Sequence, residues 1–481
     1  MVSRACMDVH EFERSVELPV SQAELFAWHE REGAFERLRP SWQRLEIESR
    51  SGGIRDGAQI TLRMRQGPVW VRWKVRHEGY DPPAQFVDRA QSGPFASWRH
   101  AHLCESRGPG LSTLRDRVEF ALPLDRLAWP IAGWWVRSTL ARTFRQRHVR
   151  TALDLARHRA FADRGPQRVA VSGGTGLIGG ALSAFLTTGG HTVLPITRRP
   201  KLGAVTWNPG TGEVDAAGLE GVDAVVHLAG EPVFGRWTAA KRAAIMDSRV
   251  GGTRLLCEAL AGLERKPRVL VCGSAIGFYG DTGDREVDES SPAGEGFLAE
   301  VVSAWEAATE PAEAAGIRVV HLRTGVVNAA TGGALAKLRL PFSLGLGGPL
   351  GGGRQWQSWI DLDDLLAVVL HAIHDEGLRG PVNAVGPAPV RQRAFARCLG
   401  AVLRRPAFVP LPGFVVRALF GDFGREALLG GQRVDARKLR ERGFRWAFPS
   451  LEESLRHQLG RAGLGAVDRA LEMFEDEPPA G

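Results

Sequence analysis

A chain of 481 residues, 44% hydrophobic and 24% charged, has the composition of folded globular domains and is too long for one hydrophobic core. Its five cysteines (Cys6, Cys104, Cys257, Cys272, Cys398) are scattered without a Cys-x-x-Cys pair, which argues against a disulfide framework or a cysteine zinc site and for a reducing, cytoplasmic setting. The net charge of +8 is carried by arginine, with lysine only at Lys74, Lys201, Lys241, Lys266, Lys337 and Lys438, a bias that reads as GC-rich coding rather than a nucleic-acid face.

Asp8, Glu11, Glu13 and Glu17 interrupt the N-terminus, so no signal-peptide core is expected there. From Phe12 to about Phe120, short alternating stretches predict strands at 11–18, 60–64, 69–77, 98–104 and 111–122. Pro19 and Ser21, with Glu24 three residues on, predict a capped helix. A long helix is expected over 131–158, with Trp134, Trp135, Leu140, Phe144, Val149, Leu153 and Leu155 available to press on a sheet. The run Leu127–Val136 at its start contains Pro130 and is too short to span a bilayer, so no membrane span is expected. The arginines at 137, 142, 145, 147, 150, 157 and 159 read as a solvated face of this helix, with a polyanion surface as the competing reading. Residues 1–162 thus form an α+β domain, and 162–167, with Gly165 and Pro166, a linker.

Strands then alternate with helices, the texture of an α/β doubly wound parallel sheet over 167–386. Strands are expected at 168–171, 191–196, 224–228, 269–272 and 319–322. Between the first strand and its helix lies Val-Ser-Gly173-Gly-Thr175-Gly176-Leu177-Ile178-Gly179, a Rossmann glycine turn. Gly173 permits the turn, Gly176 admits a pyrophosphate to the helix N-terminus, and Gly179 lets helix and sheet approach. The second strand ends at Arg198 and Arg199, where a site for NAD would carry an acid for the ribose diol; arginine there favours the 2′-phosphate of NADP. Leu228, Ala229 and Gly230 end a later strand in a small-residue turn, the place for the cofactor's second ribose. Beyond 387 the chain reads as a small helical C-terminal domain to 465, with 466–481 as a disordered tail.

These motifs, with Ser248-Arg249, Gly252-Thr253, Ser274-Ala-Ile-Gly-Phe-Tyr-Gly280, Phe297-Leu-Ala-Glu300, Trp305-Glu306, Leu322-Arg-Thr-Gly325 and Trp359-Ile-Asp-Leu-Asp-Asp-Leu365, resemble the epimerase-like family of extended short-chain dehydrogenases over about 167–459. The resemblance implies a sugar-nucleotide-type substrate whose diphosphate would meet Arg354 and Gln355. The N-terminal segment, with Gly93-Pro-Phe95, Trp98, His100 and the closing helix, resembles the START-like helix-grip (polyketide cyclase) fold, which implies a hydrophobic ligand or a partner contact.

The superfamily's redox and epimerase members use a Tyr-x-x-x-Lys pair with a Ser or Thr for proton transfer. Only two tyrosines occur here, followed four residues on by Ala84 and Gly283, so the pair is missing; aligning Glu306 puts Leu298 and Val302 in its places. Ser274, next to the serine position at Ala275, is the first candidate for proton handling, and Glu231, after the cofactor turn, the second. Glu300 and Glu306, six apart on one helix, fall on different faces. Asp361, Asp363 and Asp364 lack calcium-loop spacing and are read as caps of a helix from Leu365, so no metal is expected. Two functions stay open: an NADP-dependent oxidoreductase or epimerase acting on a small molecule, or a non-catalytic NADP(H) sensor with a ligand-binding N-terminal domain.

Overall fold

The structure, a computed structural model, describes residues 8–67 and 69–475. Two compact units divide the chain: one comprises the chain to Ala160, Thr187–Gly190 and the segment from Leu459; the other holds Phe161–Leu186 and His191–Gln458.

The first unit is built on strands β1 (His10–Leu18), β2 (Leu45–Ser51), β3 (Gln59–Gln66), β4 (Val69–Asp81), β5 (Gln85–Ser92), β6 (Ser97–Gly108) and β7 (Leu111–Ala121), with helices α1 (Gln22–Glu30) and α2 (Ala34–Leu38) between β1 and β2. They form one antiparallel sheet in the order β1-β7-β6-β5-β4-β3-β2. Ser21 caps α1 as expected, its Oγ accepting the Glu24 N–H at 3.2 Å. Helix α3 (Asp125–Arg159) lays Val136, Leu140 and Phe144 against Trp98, Val118 and Phe120 of the sheet.

The arginine face of α3 differs from the solvated surface expected. Arg150 is buried and donates to the Arg37 carbonyl at 2.9 Å. Arg142 donates to the Leu459 carbonyl, and Arg145 to that of Ala462 at 2.7 Å. Carbonyls of α2 and of the C-terminal segment thus take up guanidinium donors that a helical-wheel reading assigns to water. Nor is the segment after residue 465 a structureless tail throughout. Ala466–Glu472 is a helix that buries Ala466 and Ala470 and packs against α3; residues 476–481 lie outside the described residues.

The second unit carries β8 (Arg168–Ser172), α4 (Leu177–Thr188), β9 (Thr192–Thr197), β10 (Val205–Asn208), β11 (Glu213–Val214), α5 (Ala216–Leu219), β12 (Ala224–His227), α6 (Ala239–Ala261), β13 (Val269–Ala275) and α7 (Phe297–Ala307). Strands Arg318–Thr324 and Gly380–Ala384 complete an eight-stranded sheet in the order β11-β10-β9-β8-β12-β13-(318–324)-(380–384), parallel except at β10–β11. The order reverses between β8 and β12, so a crevice opens at the carboxyl ends of these strands. Val169, Val171, Val226 and Val271 lie in one buried cluster and Ala170, Val225, Leu270 and Cys272 in another, which is why these strands read as unbroken apolar runs. Among the described residues no helix is long and apolar enough to cross a membrane.

Candidate functional site

The turn from β8 into α4 brings three parts of the sequence together. Gly173 has φ +72°, and a Cβ there would lie 2.9 Å from the Leu228 carbonyl carbon and 3.0 Å from the Ala229 nitrogen. A Cβ on Gly179 would stand 2.3 Å from the Gly173 oxygen, so helix and loop meet only because both positions are glycine. Thr175 and Gly176 are exposed at the mouth of the turn, with Leu177 and Ile178 half-buried behind them. The glycines therefore set no side chain of their own beside the backbone N–H groups that open α4, an arrangement that suits phosphate.

Ser172 fastens this arrangement, and sequence reading passed over it. Its Oγ accepts the N–H groups of Leu228 at 3.0 Å and Ala229 at 3.3 Å, leaving its proton for His227 Nδ1 at 2.8 Å. Burial holds His227 down to about 4, so the ring stays neutral and can accept. A serine just before the first glycine is the signal that could have marked it. Arg198 and Arg199, which follow β9, are exposed.

The two proton-handling candidates fall in separate networks. Glu231 sits beyond Gly230, its carboxylate 2.5 Å from Lys241 Nζ and partly exposed. Its N–H donates to Ser248 Oγ at 2.9 Å, and its carbonyl accepts from Arg249 at 2.8 Å. Burial lowers Arg249 to about 10, and its guanidinium lies over the Trp305 ring.

Ser274, near the end of β13, donates to Glu306 Oε1 at 2.6 Å. Arg323 grips both oxygens of Glu306 at 2.8 Å and reaches Tyr279 Oη at 3.0 Å; Tyr279 in turn donates to Asn383 Oδ1 at 2.7 Å. Burial raises the Glu306 pKa, but the bonds from Arg323 and Ser274 outweigh it and hold the carboxyl below its usual range. Burial pushes Tyr279 up to about 12, so this phenol keeps its proton. Ser274 gives its proton to a fixed carboxylate and keeps lone pairs for a substrate donor. Glu300, by contrast, is exposed. Leu298 lies against Gly277, whose Cβ would stand 3.2 Å from that of Leu298, and Val302 is buried, so an apolar wall occupies the stretch aligned with the missing Tyr and Lys.

Arg354 lines a cleft of about 710 Å³ together with Arg391, Arg393 and Arg417. Gln355 also borders it, but its amide donates to the Leu350 and Leu428 carbonyls at 3.2 and 2.9 Å, which makes it a support of the loop. The aspartates of 361–364 correct a boundary. Their helix spans Leu362–His374, with Asp361 as N-cap accepting the Asp363 N–H. Asp364 accepts from the Ala447 and Phe448 N–H groups, and Asp361 from Ser454 and Gln458, so tertiary partners fix the start earlier than Leu365.

Comparison with known proteins agrees with this geometry. Residues 169–386 match the NAD dependent epimerase/dehydratase family, and residues 411–458 match a domain of unknown function, DUF1731. The chain is 44% identical over 298 residues to an epimerase family protein of Mycobacterium bovis, covering 61% of this chain and 98% of that protein. It is 36% identical to a solved structure of human epimerase family protein SDR39U1 with NADPH, at a TM-score of 0.55 over 61% of this chain and 99% of that one. A nucleoside-diphosphate sugar epimerase from Corynebacterium glutamicum superposes with a TM-score of 0.78 at 31% identity, covering 97% of this chain and 93% of that one, so the likeness includes the N-terminal unit. A glycine cradle at the sheet's switch point, and relatives matched over nearly their whole length, lead to one conclusion: the chain belongs to the NAD dependent epimerase/dehydratase family.

Proposed function

We propose that the chain binds NADP(H) at the β8–α4 turn and acts as an oxidoreductase or epimerase on a small anionic, nucleotide-linked molecule. The observation that carries this reading is the contact of Gly173 with Leu228 and Ala229, which leaves a side-chain-free cradle at the start of α4. In this reading of the site, Gly173, Thr175, Gly176, Leu177, Ile178 and Gly179 surround the pyrophosphate, Leu228, Ala229 and Gly230 lie along the second ribose, and Arg198 and Arg199 take the 2′-phosphate. The human relative's structure with NADPH supports the choice of NADP over NAD. When bound, the cofactor supplies a carbon that gives or takes hydride.

The chain's own part is positioning and proton control. Ser274, oriented by Glu306, accepts a hydrogen bond from a substrate hydroxyl; Glu231 and Lys241 form an acid–base pair beside the cofactor turn. Arg354, with Arg391, Arg393 and Arg417, attracts the phosphates of the substrate. We also read the N-terminal unit as a START-like fold that holds a hydrophobic ligand; a sheet closed by one long helix around cavities supports this. The test is a screen of nucleoside-diphosphate sugars for NADPH oxidation or epimer formation. Ser274→Ala and Glu231→Gln should each lower kcat at least tenfold on any substrate found. Full turnover in both would refute the assigned roles, and NADPH binding without turnover across the screen would favour a sensor.

A further inference from the structure

The sheet register of the N-terminal unit gathers histidines and aspartates on one inward face. His77 on β4 pairs across from Asp88 on β5, Asp88 across from His100 on β6, and His102 across from Asp116 on β7. His100 and His102 are two residues apart, so their side chains share a face. The His100-x-His102 spacing is legible in the sequence, whereas the acid opposite His100, Asp88, lies on a strand that the alternation does not mark.

The spacing separates two kinds of contact. Asp116 Oδ1 lies 2.7 Å from His100 Nε2 and 3.1 Å from His102 Nδ1, while its Oδ2 is 2.7 Å from His148 Nε2. The remaining ring nitrogens turn to Asp88: His100 Nδ1 is 3.7 Å from its Oδ2, and His102 Nε2 makes a long hydrogen bond to the same oxygen at 3.4 Å. Ligand atoms held about 2.0–2.2 Å from a shared ion stand roughly 3.0–3.5 Å from one another, longer than a good hydrogen bond and close to these separations. On Asp88's other oxygen, His77 Nδ1 approaches to 2.8 Å without hydrogen-bond alignment. Asp88 Oδ1, His77 Nδ1 and His102 Nδ1 are buried with no hydrogen-bond partner, and His102 is only 4% exposed. One donor atom each from Asp88, His100 and His102 fall within 4.8 Å of one another.

From this geometry we propose that Asp88, His100 and His102 bind a divalent first-row transition-metal ion, with Asp116 as the carboxylate that orients the His100 ring and lies behind that of His102. Two imidazoles and one carboxylate suit zinc, iron(II) or cobalt(II) and leave coordination positions open. Asp116 supplies the outer hydrogen bond of His100, through Nε2 at 2.7 Å, and sets its negative charge 3.1 Å from His102 Nδ1. His77 stands beside Asp88 as a fourth donor.

Two cavities border the cluster. One, of about 180 Å³, is lined by Asp88, His77 and His100 with Trp73, Trp98 and Met64; another, of about 300 Å³, by Asp88, His102, His29 and Arg147. The first is largely apolar, so the ion's open position would take a polar group, such as a hydroxyl or carbonyl, on an otherwise apolar molecule. This site is independent of the proposed hydride-transfer site, whose residues lie in the other unit.

The experiment is titration of the chelator-treated full-length protein with zinc(II) and cobalt(II), by calorimetry and visible absorption. The expected result is one ion per chain at micromolar affinity or tighter, weakened at least tenfold in Asp88→Asn and in His102→Gln, and unchanged in His457→Gln, which probes the other acid–histidine group, Asp361–Asp363–His457. If the core variants do not fold, 15N-histidine spectra of the wild-type protein decide: zinc must shift the ring nitrogens of His100 and His102. No saturable binding below about 100 μM, binding unaffected by both core variants, or histidine shifts elsewhere would each overturn the proposal.

Discussion

Replacing Glu306 by Gln keeps the shape of the side chain and removes the charge that balances Arg323. Both side chains are nearly inaccessible, at 12% and 4%, so water cannot take over the lost interaction. Leaving a buried charge unpaired costs about 3–5 kcal/mol; because Gln still offers one acceptor, the lower end applies, about 3 kcal/mol. Hydrogen exchange by mass spectrometry on peptides covering β13 and Arg318–Thr324 reads this locally, and exchange through unfolding of the sheet should accelerate about a hundredfold. The folded Glu306 pKa lies below its reference of 4.5, so the pair's contribution is complete above that value and is lost as pH falls through the depressed folded value. The gap between wild type and Glu306→Gln should therefore be full at pH 7 and shrink on acidification below the reference value of 4.5. Equal exchange in the two proteins at pH 7, or a gap that grows on acidification, would refute the reasoning.

Gly179→Ala places a Cβ 2.3 Å from the Gly173 oxygen, so the turn must shift; fluorescence titration should show NADPH affinity reduced at least tenfold. Tyr279→Phe removes the donor to Asn383 and the acceptor of Arg323, and should lower stability by about 1–3 kcal/mol in urea unfolding without moving NADPH affinity. Arg198→Glu with Arg199→Glu should weaken NADPH at least tenfold and leave NADH within twofold; equal losses for both cofactors would contradict the 2′-phosphate role.

The parallel sheet and its glycine turn were legible because β8, β12 and β13 are buried on both faces and read as continuous apolar runs. In the N-terminal unit the long strands were visible, but β2 and β5 were not. Leu45–Ser51 is an edge strand whose second half is polar, and Gln85–Ser92 turns Asp88 into the interior, so neither keeps the alternation that marks a strand. The arginines of α3 were misread because the carbonyls that receive Arg142 and Arg145 come from residues more than three hundred positions away. The same distance effect hid the Ser274–Glu306–Arg323–Tyr279 network: each residue was visible singly, and only the pairing of β13 with Arg318–Thr324 sets Ser274 opposite Arg323.

The central claim is the cofactor site, and the most direct measurement is a titration of the full-length protein with NADPH and NADH, read by cofactor emission and energy transfer from tryptophan. Saturable binding of one NADPH per chain is expected, at least tenfold tighter than NADH and weakened by Gly179→Ala. Absence of saturable binding by either cofactor, or tighter binding of NADH, would contradict it.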